Sequence, residues 1–470
     1  MFELKRKLWD HQRVAFEKFK VSPEAALFFE VGTGKTLTAI AMMLEWYRRH
    51  NRIMRTLVIC PIVVCENWRR ELNEACDDLP IDVLVGTKQK RLDIMSRYDK
   101  KRHGILITNY EALGISDVFT KILNWNPELI ICDESSKVKN HKAVRTKRTQ
   151  TLSEGAKVKY ILTGTPVLNT PMDLFAQFLV LDGGATFGKN FLVFRARYFY
   201  DKNSGMPPHR HFPKWEPRPG INQEFGRLIS AKSMRVKKSE CLDLPPLVRQ
   251  RINVTMDPGQ SRAYDSMKKD FIAFLGERAC SAQLAITKGL RLQQIVSGYV
   301  QLDGQAEPTY FKSNPRLVAL TDLLESILPD HKVIVWASFR ENYKMIAAEL
   351  EKLKVKYRLL VGGISDMKRQ EAIDDFQFSD RVRVLIANPG SGGIGINLTA
   401  ASYAIYYSRN FSLEHDLQSE ARCYRGGSEV HEKITRIDLV TPDSIDELIL
   451  EALEKKEAIG EKILSWKEKI

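Results

Sequence analysis

Three short constellations in this chain carry residues whose types and spacing could do chemistry. The first is Gly32-Thr33-Gly34-Lys35-Thr36, set between an apolar run (AALFF, 25–29) and a helix-like stretch (LTAIAMMLEWYRR, 37–49). Strand, glycine-rich turn and helix make a phosphate loop. Gly32 and Gly34 let the backbone approach phosphates and aim its N–H groups at them. Lys35 would neutralise the β- and γ-phosphates, and the Thr36 hydroxyl would ligate Mg²⁺. Phe29 stands where the eight-residue signature has Gly or Ala, so the reading rests on placement between strand and helix, with a surface turn as the alternative. The second constellation is Asp133-Glu134, at the end of ELIIC (128–132). Asp133 can hold Mg²⁺ through water, and Glu134 can orient or deprotonate an attacking water. Adjacent carboxylates on a loop are often simply solvated. Their place after a buried strand, about 100 residues beyond a phosphate loop, favours the catalytic reading. The third is Arg422 and Arg425, three apart and on one face if helical. Arginines placed so can stabilise charge on a transferring phosphate, and otherwise they are surface charges.

These residues need elements to hold them. LVIC (57–60) ends at Pro61, GILIT (104–108) at Asn109-Tyr110, and KYILTGT (159–165) at Pro166. Short β-rich runs alternating with helical segments predict a parallel sheet covered by helices, with ligands at the carboxyl ends of its strands. Thr163 and Thr165 offer hydroxyls at one such end, or only cap a turn. VIVWASF (333–339), RVLIAN (383–388) and YAIYYS (403–408) predict a second α/β half without a second GKT or DE pair. That half would complete the first site, not form another.

The expected division is a first lobe over 1–182, an insertion and linker over 183–247, a helical segment over 248–311, a second lobe over 312–443 and a C-terminal bracing helix over 444–470. The insertion contains SGMPPHRHFPKWEPRPG (204–220), rich in Gly, Pro, His and aromatics. It reads as irregular. His209, His211 and Trp215 could touch nucleic acid, or only shape a loop.

Lys and Arg number 72 against 58 acidic residues, a net charge of +14, which favours a polyanionic partner. From Lys137 to Arg148, six of 12 residues are Lys or Arg, directly after the acidic pair. That run is either a phosphate-tracking surface or a solvated face. The seven cysteines are unpatterned, which speaks against a structural zinc and for reduced thiols. No long apolar run predicts a membrane span and no signal peptide is expected, so the expected location is cytoplasmic.

With these motifs in view, the chain resembles the Swi/Snf-type ATPases of helicase superfamily two. LTGTPVLNTPMDL (162–174) and AKSMRVKKSECLDLPPLVRQRINVTM (231–256) are similar to the family's third motif and inter-lobe segment. LWDHQ (8–12) resembles the adenine-reading motif, which implies Gln12 on adenine. CPIVVCENW (60–68) and ITNYEAL (107–113) resemble strand-contacting motifs, and DESSKVKN (133–140) the acidic one. NPGSGGIGINLTAASYAIYYSRNFS (388–412) and QSEARCYRGG (418–427) resemble the fifth and sixth. The matches come in family order over nearly the whole chain.

The resemblance implies two RecA-like parallel-sheet lobes in tandem, with helical insertions between them and the ATP site between the lobes. It implies a nucleotide site of Gln12, Gly32, Thr33, Gly34, Lys35 and Thr36, and Mg²⁺ on Thr36 and Asp133. Catalysis would fall to Lys35, Asp133, Glu134, Arg422 and Arg425. Nucleic acid would meet Asn109, Tyr110, Lys139, Gly393 and Asn397. The chain departs from the family at Phe29, Ser135-Ser136, Ala421 and Ser428. These departures speak against membership of the chromatin-remodelling branches, and the compact form more closely resembles viral or bacterial members of the family. The implied activity is DNA-dependent ATP hydrolysis by a monomeric motor that moves on duplex, forked or branched DNA, with single-stranded DNA as a further partner. It would remodel or unwind that DNA. The alternatives are a translocase that displaces proteins without separating strands, an RNA helicase, and an ATP-gated binding module.

Overall fold

The computed structural model of the protein describes residues 2–99, 101–207, 211, 213–276, 282–301, 304–305, 307–390 and 396–464. The chain forms two α/β lobes, each built on its own parallel sheet. One comprises Met1–Lys202, Pro213–Leu242 and Lys456–Ile470, and the other Asn203–Phe212 and Asp243–Lys455. Among the described residues, no helix is long and apolar enough to cross a membrane.

In the first lobe the strands are β1 (Glu24–Phe29), β2 (Arg55–Cys60), β3 (Ile81–Leu84), β4 (Gly104–Asn109), β5 (Leu129–Asp133), β6 (Val158–Leu162), β7 (Phe199–Asp201), β8 (Trp215–Pro217) and β9 (Ser233–Val236). Seven form one sheet in the order β3-β4-β2-β5-β6-β1-β9, every pair parallel. β4 and β5 are buried along their whole length, as their near-continuous apolar sequences require of central strands in such a sheet. Helices Lys35–His50, Cys65–Ala75, Ser116–Trp125, Val144–Gly155 and Asp173–Asp182 connect the strands. Trp125, Ile122, Phe175 and Phe178 from these helices pack with Leu57, Leu106 and Ile130 of the sheet in one apolar core.

The expectation of an irregular insertion over 183–247 does not hold. Helices Phe191–Tyr198 and Ile221–Ile229 flank the β7–β8 hairpin. Phe187, Phe194, Tyr198 and Phe225 pack with ring centroids 4.7–6.5 Å apart and join the first core. Arg195 stacks its guanidinium 4.0 Å above Trp215, so that indole is a packing group. β9 then adds to the outside of β1, in parallel register from Ala26↔Ser233 to Phe29↔Val236. Ser-Met-Arg-Val is short and half polar, as an edge strand can be, and gave no periodic signal.

In the second lobe the strands are β10 (Leu247–Asn253), β11 (Tyr299–Val300), β12 (Thr309–Tyr310), β13 (Lys332–Trp336), β14 (Tyr357–Leu360), β15 (Val384–Ala387), β16 (Ala401–Tyr406) and β17 (Ile434–Val440). The sheet order is β10-β17-β16-β13-β15-β14, again all parallel. β10 pairs with β17 over seven residues, so this lobe starts near 243 and not at 312. Helices Pro258–Gly276 and Ala282–Val296 precede β11. Tyr264, Leu292 and Ile295 pack with Leu413, Ile449 and Leu453 in a satellite cluster. Ile449 and Leu453 belong to the last helix, Ile445–Leu464.

Candidate functional site

β1 ends at Phe29, and the chain turns through Gly32 (φ 93°) and Gly34 (φ 77°) into helix Lys35–His50. Both glycines occupy the left-handed region that a Cβ makes costly. At Gly34 a Cβ would also stand 2.0 Å from Gln12 Nε2. Gln12 is buried against this turn: Nε2 donates to Gly34 O (3.0 Å), and Oε1 accepts from Trp9 N (2.8 Å). The amide nitrogen of Gln12 therefore serves the phosphate turn, while its oxygen serves the start of its own helix, Asp10–Phe19. The Thr33 hydroxyl donates to Glu30 O (2.8 Å), and the Thr33 carbonyl lies 2.8 Å from His11 Nε2. Glu30 in turn is held from β9, since Glu30 N donates to Val236 O (3.0 Å) and Glu30 Oε2 accepts from Lys238 N (3.0 Å). The result is a braced turn that opens a 16-residue helix with no carboxylate in its first turn. Lys35 and Thr36 are its first residues and are partly exposed. Free N–H groups and the positive helix end make this a natural anion seat.

β6 lies between β1 and β5, with Leu27 level with Leu162 and Leu162 level with Asp133. The phosphate turn and the acidic pair thus leave the same edge of the sheet. Asp133 is fixed on three sides. Trp68 Nε1 donates to Oδ2 (2.9 Å), the Glu134 N–H to Oδ1 (3.0 Å), and the Tyr110 hydroxyl to the Asp133 carbonyl (2.8 Å). Glu134 holds φ 56°, left-handed for a residue with a Cβ, a conformation costing about 1 kcal/mol. Its Oε1 accepts from the Thr163 hydroxyl (2.8 Å) and from the Ser136 hydroxyl (3.3 Å). Thr163 Oγ1 also accepts from Thr165 N (3.1 Å), which orders the turn after β6. A Cβ on Gly164 would lie 3.2 Å from Phe29 O, so that turn is seated directly on the start of the phosphate turn. Ser135 donates to Gln177 Oε1 (2.8 Å), and Gln177 Nε2 donates to the carbonyls of Pro166 (2.7 Å) and Asp173 (2.8 Å). Ser135 thereby joins the acidic turn to the segment after β6, while the Ser136 hydroxyl stays within the turn on Glu134.

Sequence reasoning missed Trp68, Thr163's partner, Gln177 and the Glu30–Lys238 brace, because each acts across strands remote in the chain. It also missed Glu71, one turn beyond Trp68 on helix Cys65–Ala75. Burial pushes the Glu71 carboxyl up to about 6; Arg6 opposes this, Asp133 and Glu74 add to it, and Lys35 opposes it weakly. Behind the site, burial also raises the Cys132 thiol to about 12.

The candidate nucleic-acid residues divide. Asn109 and Tyr110 do not present their side chains to a ligand. Asn109 is 3 % exposed, accepts from Arg91 Nη1 (2.9 Å) and donates to Glu111 (2.8 Å), while Tyr110 is 1 % exposed and bound to Asp133. Both support the strand ends from behind, which corrects their expected role as contacts. Lys139 is half-buried just past the turn Ser135–Val138. Of the basic run, Lys142 and Lys147 are exposed, but Arg148 is spent on Ser116 (2.9 Å), the Leu113 carbonyl and the Phe119 ring (4.9 Å). Neighbouring His141 stacks on Phe191 at 3.7 Å, and burial lowers its pKa, with Lys142 and Arg195 adding to the shift. Asn397 is exposed. Gly393 and His209 lie outside the described residues, and His211 is partly buried.

In the second lobe, helix Leu413–Cys423 is capped by Ser412 Oγ, which accepts from His415 N (3.3 Å). Arg422 is on its last turn, while Arg425 lies beyond its end, so the two do not share a helix face. They converge nonetheless: Nη1 of each donates to the Ile396 carbonyl, at 3.5 and 3.2 Å. A buried ion network anchors this helix. Arg436 binds Asp416 (2.8 Å) and Glu420 (2.6 Å), Arg249 also binds Glu420 (2.8 Å), and Arg409 binds Asp416 (3.4 Å) and Asp438. Burial, reinforced by Arg436, pushes the Arg409 guanidinium down to about 10. Both guanidiniums stack on Tyr406, at 4.4 and 4.3 Å.

Comparison with known proteins bears on this geometry. Residues 19–301 match the SNF2-related domain, and residues 316–427 match the helicase conserved C-terminal domain. Chromodomain-helicase-DNA-binding protein 1-like of Danio rerio is 26% identical over 434 residues, covering 89% of this chain and 40% of its own length. Nuclear protein STH1/NPS1 of Saccharomyces cerevisiae is 26% identical over 454 residues, covering 93% and 33%. The chain therefore spans less than half the length of these relatives. Among solved structures, the SWI2/SNF2 ATPase core of Sulfolobus solfataricus in complex with double-stranded DNA aligns over 98% of this chain and 94% of that one, at 23% identity and a TM-score of 0.46.

Proposed function

The chain belongs to the SNF2-related family, and on that premise we propose that it hydrolyses ATP to ADP and phosphate and uses the cycle to move along duplex DNA. The observation that carries this reading is the junction of two turns at one sheet edge. The braced phosphate turn meets an acidic pair whose second carboxylate is held by Thr163. In this reading the triphosphate sits on the N-terminus of helix Lys35–His50, and Lys35 neutralises its β- and γ-oxygens. The Thr36 hydroxyl and the Asp133 carboxylate would hold Mg²⁺. An all-oxygen donor set suits that ion, and each Asp133 oxygen already accepts one hydrogen bond, which favours contact through water. When bound, the ion supplies charge neutralisation at the phosphates. Glu134, with Oε1 held by Thr163, accepts the proton of the attacking water. Arg422 and Arg425 supply further positive charge to the γ-phosphate in the DNA-bound state. Lys139, Asn397 and the exposed Lys142 and Lys147 contact DNA phosphates, with little sequence preference.

The deciding experiment measures ATP hydrolysis with duplex, forked and single-stranded DNA and with RNA, following strand separation alongside. Duplex DNA should stimulate turnover without strand separation on blunt substrates. Strand separation coupled to hydrolysis on forks would assign unwinding or branch migration instead. Hydrolysis indifferent to every nucleic acid would sink the motor reading.

A further inference from the structure

The second lobe carries a concave surface for which ATP chemistry has no use. A cavity of about 590 Å³ opens where the chain enters β13, β14 and β15. This is the amino edge of the sheet, whereas Asn388 and Ile396 follow the carboxyl end of β15. Ligands of parallel sheets ordinarily sit at the carboxyl edge. Lys354 and Lys356 line the cavity ahead of β14, Arg381 and Arg383 ahead of β15, and Glu325 is the carboxylate among them. Four cations less one carboxylate leave a formal charge of +3.

The arrangement differs from an ordinary basic surface in three ways. First, among the described residues none of the four cations has a carboxylate within ion-pair distance, although the neighbouring Lys352 and Arg358 do, with Glu349 (2.6 Å) and Asp375 (2.6 Å). Unneutralised charge in a concave, low-dielectric wall focuses the field. Second, the surface is built. Arg383 Nε and Nη2 donate to the Leu328 carbonyl (3.2 and 2.7 Å), and Nη2 also donates to Pro329 O (3.0 Å). Arg383 N donates to Lys356 O (3.2 Å), which ties the two cationic segments together. Lys354 holds φ 58°, where glycine is the ordinary residue. Third, the floor is aliphatic, from Leu328, Leu353 and Val355.

A phosphodiester strand spaces its charges on sugars and has no aliphatic side chain to seat on such a floor, and the lining contains no aromatic ring on which a base could stack. We propose that this pocket binds an acidic peptide segment of a partner protein, its carboxylates at the four cations and an aliphatic side chain on the Leu328–Leu353 floor. The volume is that of a pocket accommodating a few side chains.

The test uses the full chain and a fluorescein-labelled synthetic peptide alternating Glu with Leu, followed by fluorescence anisotropy. Two further peptides replace Leu by Ser or Glu by Gln, and a short duplex DNA serves as a separate probe. Lys356→Glu with Arg381→Glu reverses two exposed pocket charges. Lys344→Glu with Lys352→Glu reverses two charges outside the pocket. The Glu/Leu peptide should bind, and the pocket pair should weaken it by about tenfold or more, while the outside pair leaves it within about twofold. Both altered peptides should bind worse, and DNA affinity and DNA-stimulated hydrolysis should hold in the pocket pair. Absence of peptide binding, equal loss in both pairs, or indifference to Leu would overturn the proposal. A loss of DNA affinity matching the loss of peptide would assign the surface to nucleic acid instead. If charge reversal disturbs the fold by thermal melting, Lys356→Gln with Arg381→Gln makes the same distinction.

Discussion

The hydroxyl of Thr163 and the carboxylate of Glu134 form the contact on which the site's chemistry turns. Glu134→Gln keeps the side chain's shape and its hydrogen-bonding carbonyl but removes the base. ATP should still bind while turnover falls by roughly 10²-fold or more. Loss of ATP binding together with hydrolysis would make Glu134 structural. Thr163→Val should leave ATP affinity unchanged and lower turnover by about tenfold, because the carboxylate loses a hydrogen bond and its fixed rotamer. A raised KM with an unchanged kcat would argue against that role. Glu71 makes a different forecast. Its carboxyl, lifted by burial to about 6, binds a proton more tightly in the folded protein than in the unfolded one, whose value is 4.5. The folded state therefore loses stability as pH rises through that window. Glu71→Gln should be more stable than the parent above pH 6, by about 1 kcal/mol, and the two should converge near pH 4. Chemical denaturation at both pH values measures this, and a destabilised variant at pH 8 would refute it.

At the scale of elements, helix Leu413–Cys423 positions the arginines through its buried network, and strand β5 positions the acidic pair. Arg422→Ala and Arg425→Ala should each keep ATP affinity and lose DNA-stimulated turnover by roughly 10³-fold, with poor rescue by Lys, which lacks the planar fork. Near-normal stimulation in both Ala variants would remove them from the chemistry. Just before β5, Arg52 holds the Glu128 carboxyl down to about 2 against burial, with Arg55 helping. Such a depressed value means a stabilisation complete above about pH 4.5 and lost as pH falls towards 2. Glu128→Gln should cost about 1–2 kcal/mol at pH 7 and little at pH 2.5; an equal cost at both pH values would contradict the ion-pair origin. These elements were unequally legible in the sequence. The central strands could be read because their apolar runs stop at Pro61, Asn109, Asp133 and Pro166. β9 and β10 could not, because edge strands mix polar residues into short stretches and take their identity from a partner far along the chain. For the same reason the sequence offered Asn109 and Tyr110 as contacts. Motif position marks residues near a site but does not say which side of the backbone they face.

For the whole molecule, the surplus of 72 basic over 58 acidic residues predicts the salt response. If DNA is held mainly through phosphates, six or so contacts would cost roughly 10³-fold in affinity between 50 and 200 mM salt, with little change between unrelated duplex sequences. Flat salt dependence, or strong sequence preference, would point to base-edge recognition. The composition spoke for a polyanion but could not locate it. Part of the basic run 137–148 is locked into packing by Arg148, while four cations line a cavity at the amino edge of the second lobe's sheet, with no carboxylate in ion-pair distance among the described residues.

The pairing of β1 with β9 also has a bearing on how the protein is made. The phosphate turn is complete in covalent terms by Thr36, yet the strand that flanks it and the Lys238 N–H that secures Glu30 leave the ribosome only after some 200 further residues. Until then a nascent chain carries β1 as an open edge that is apolar from Ala25 to Phe29. A fragment ending at 182 should aggregate during synthesis, whereas one ending at 242 covers that edge. Arrested ribosome–nascent-chain complexes probed by limited proteolysis should show the first lobe becoming resistant only once Val236 has emerged, and protection at 182 would show that β9 is dispensable.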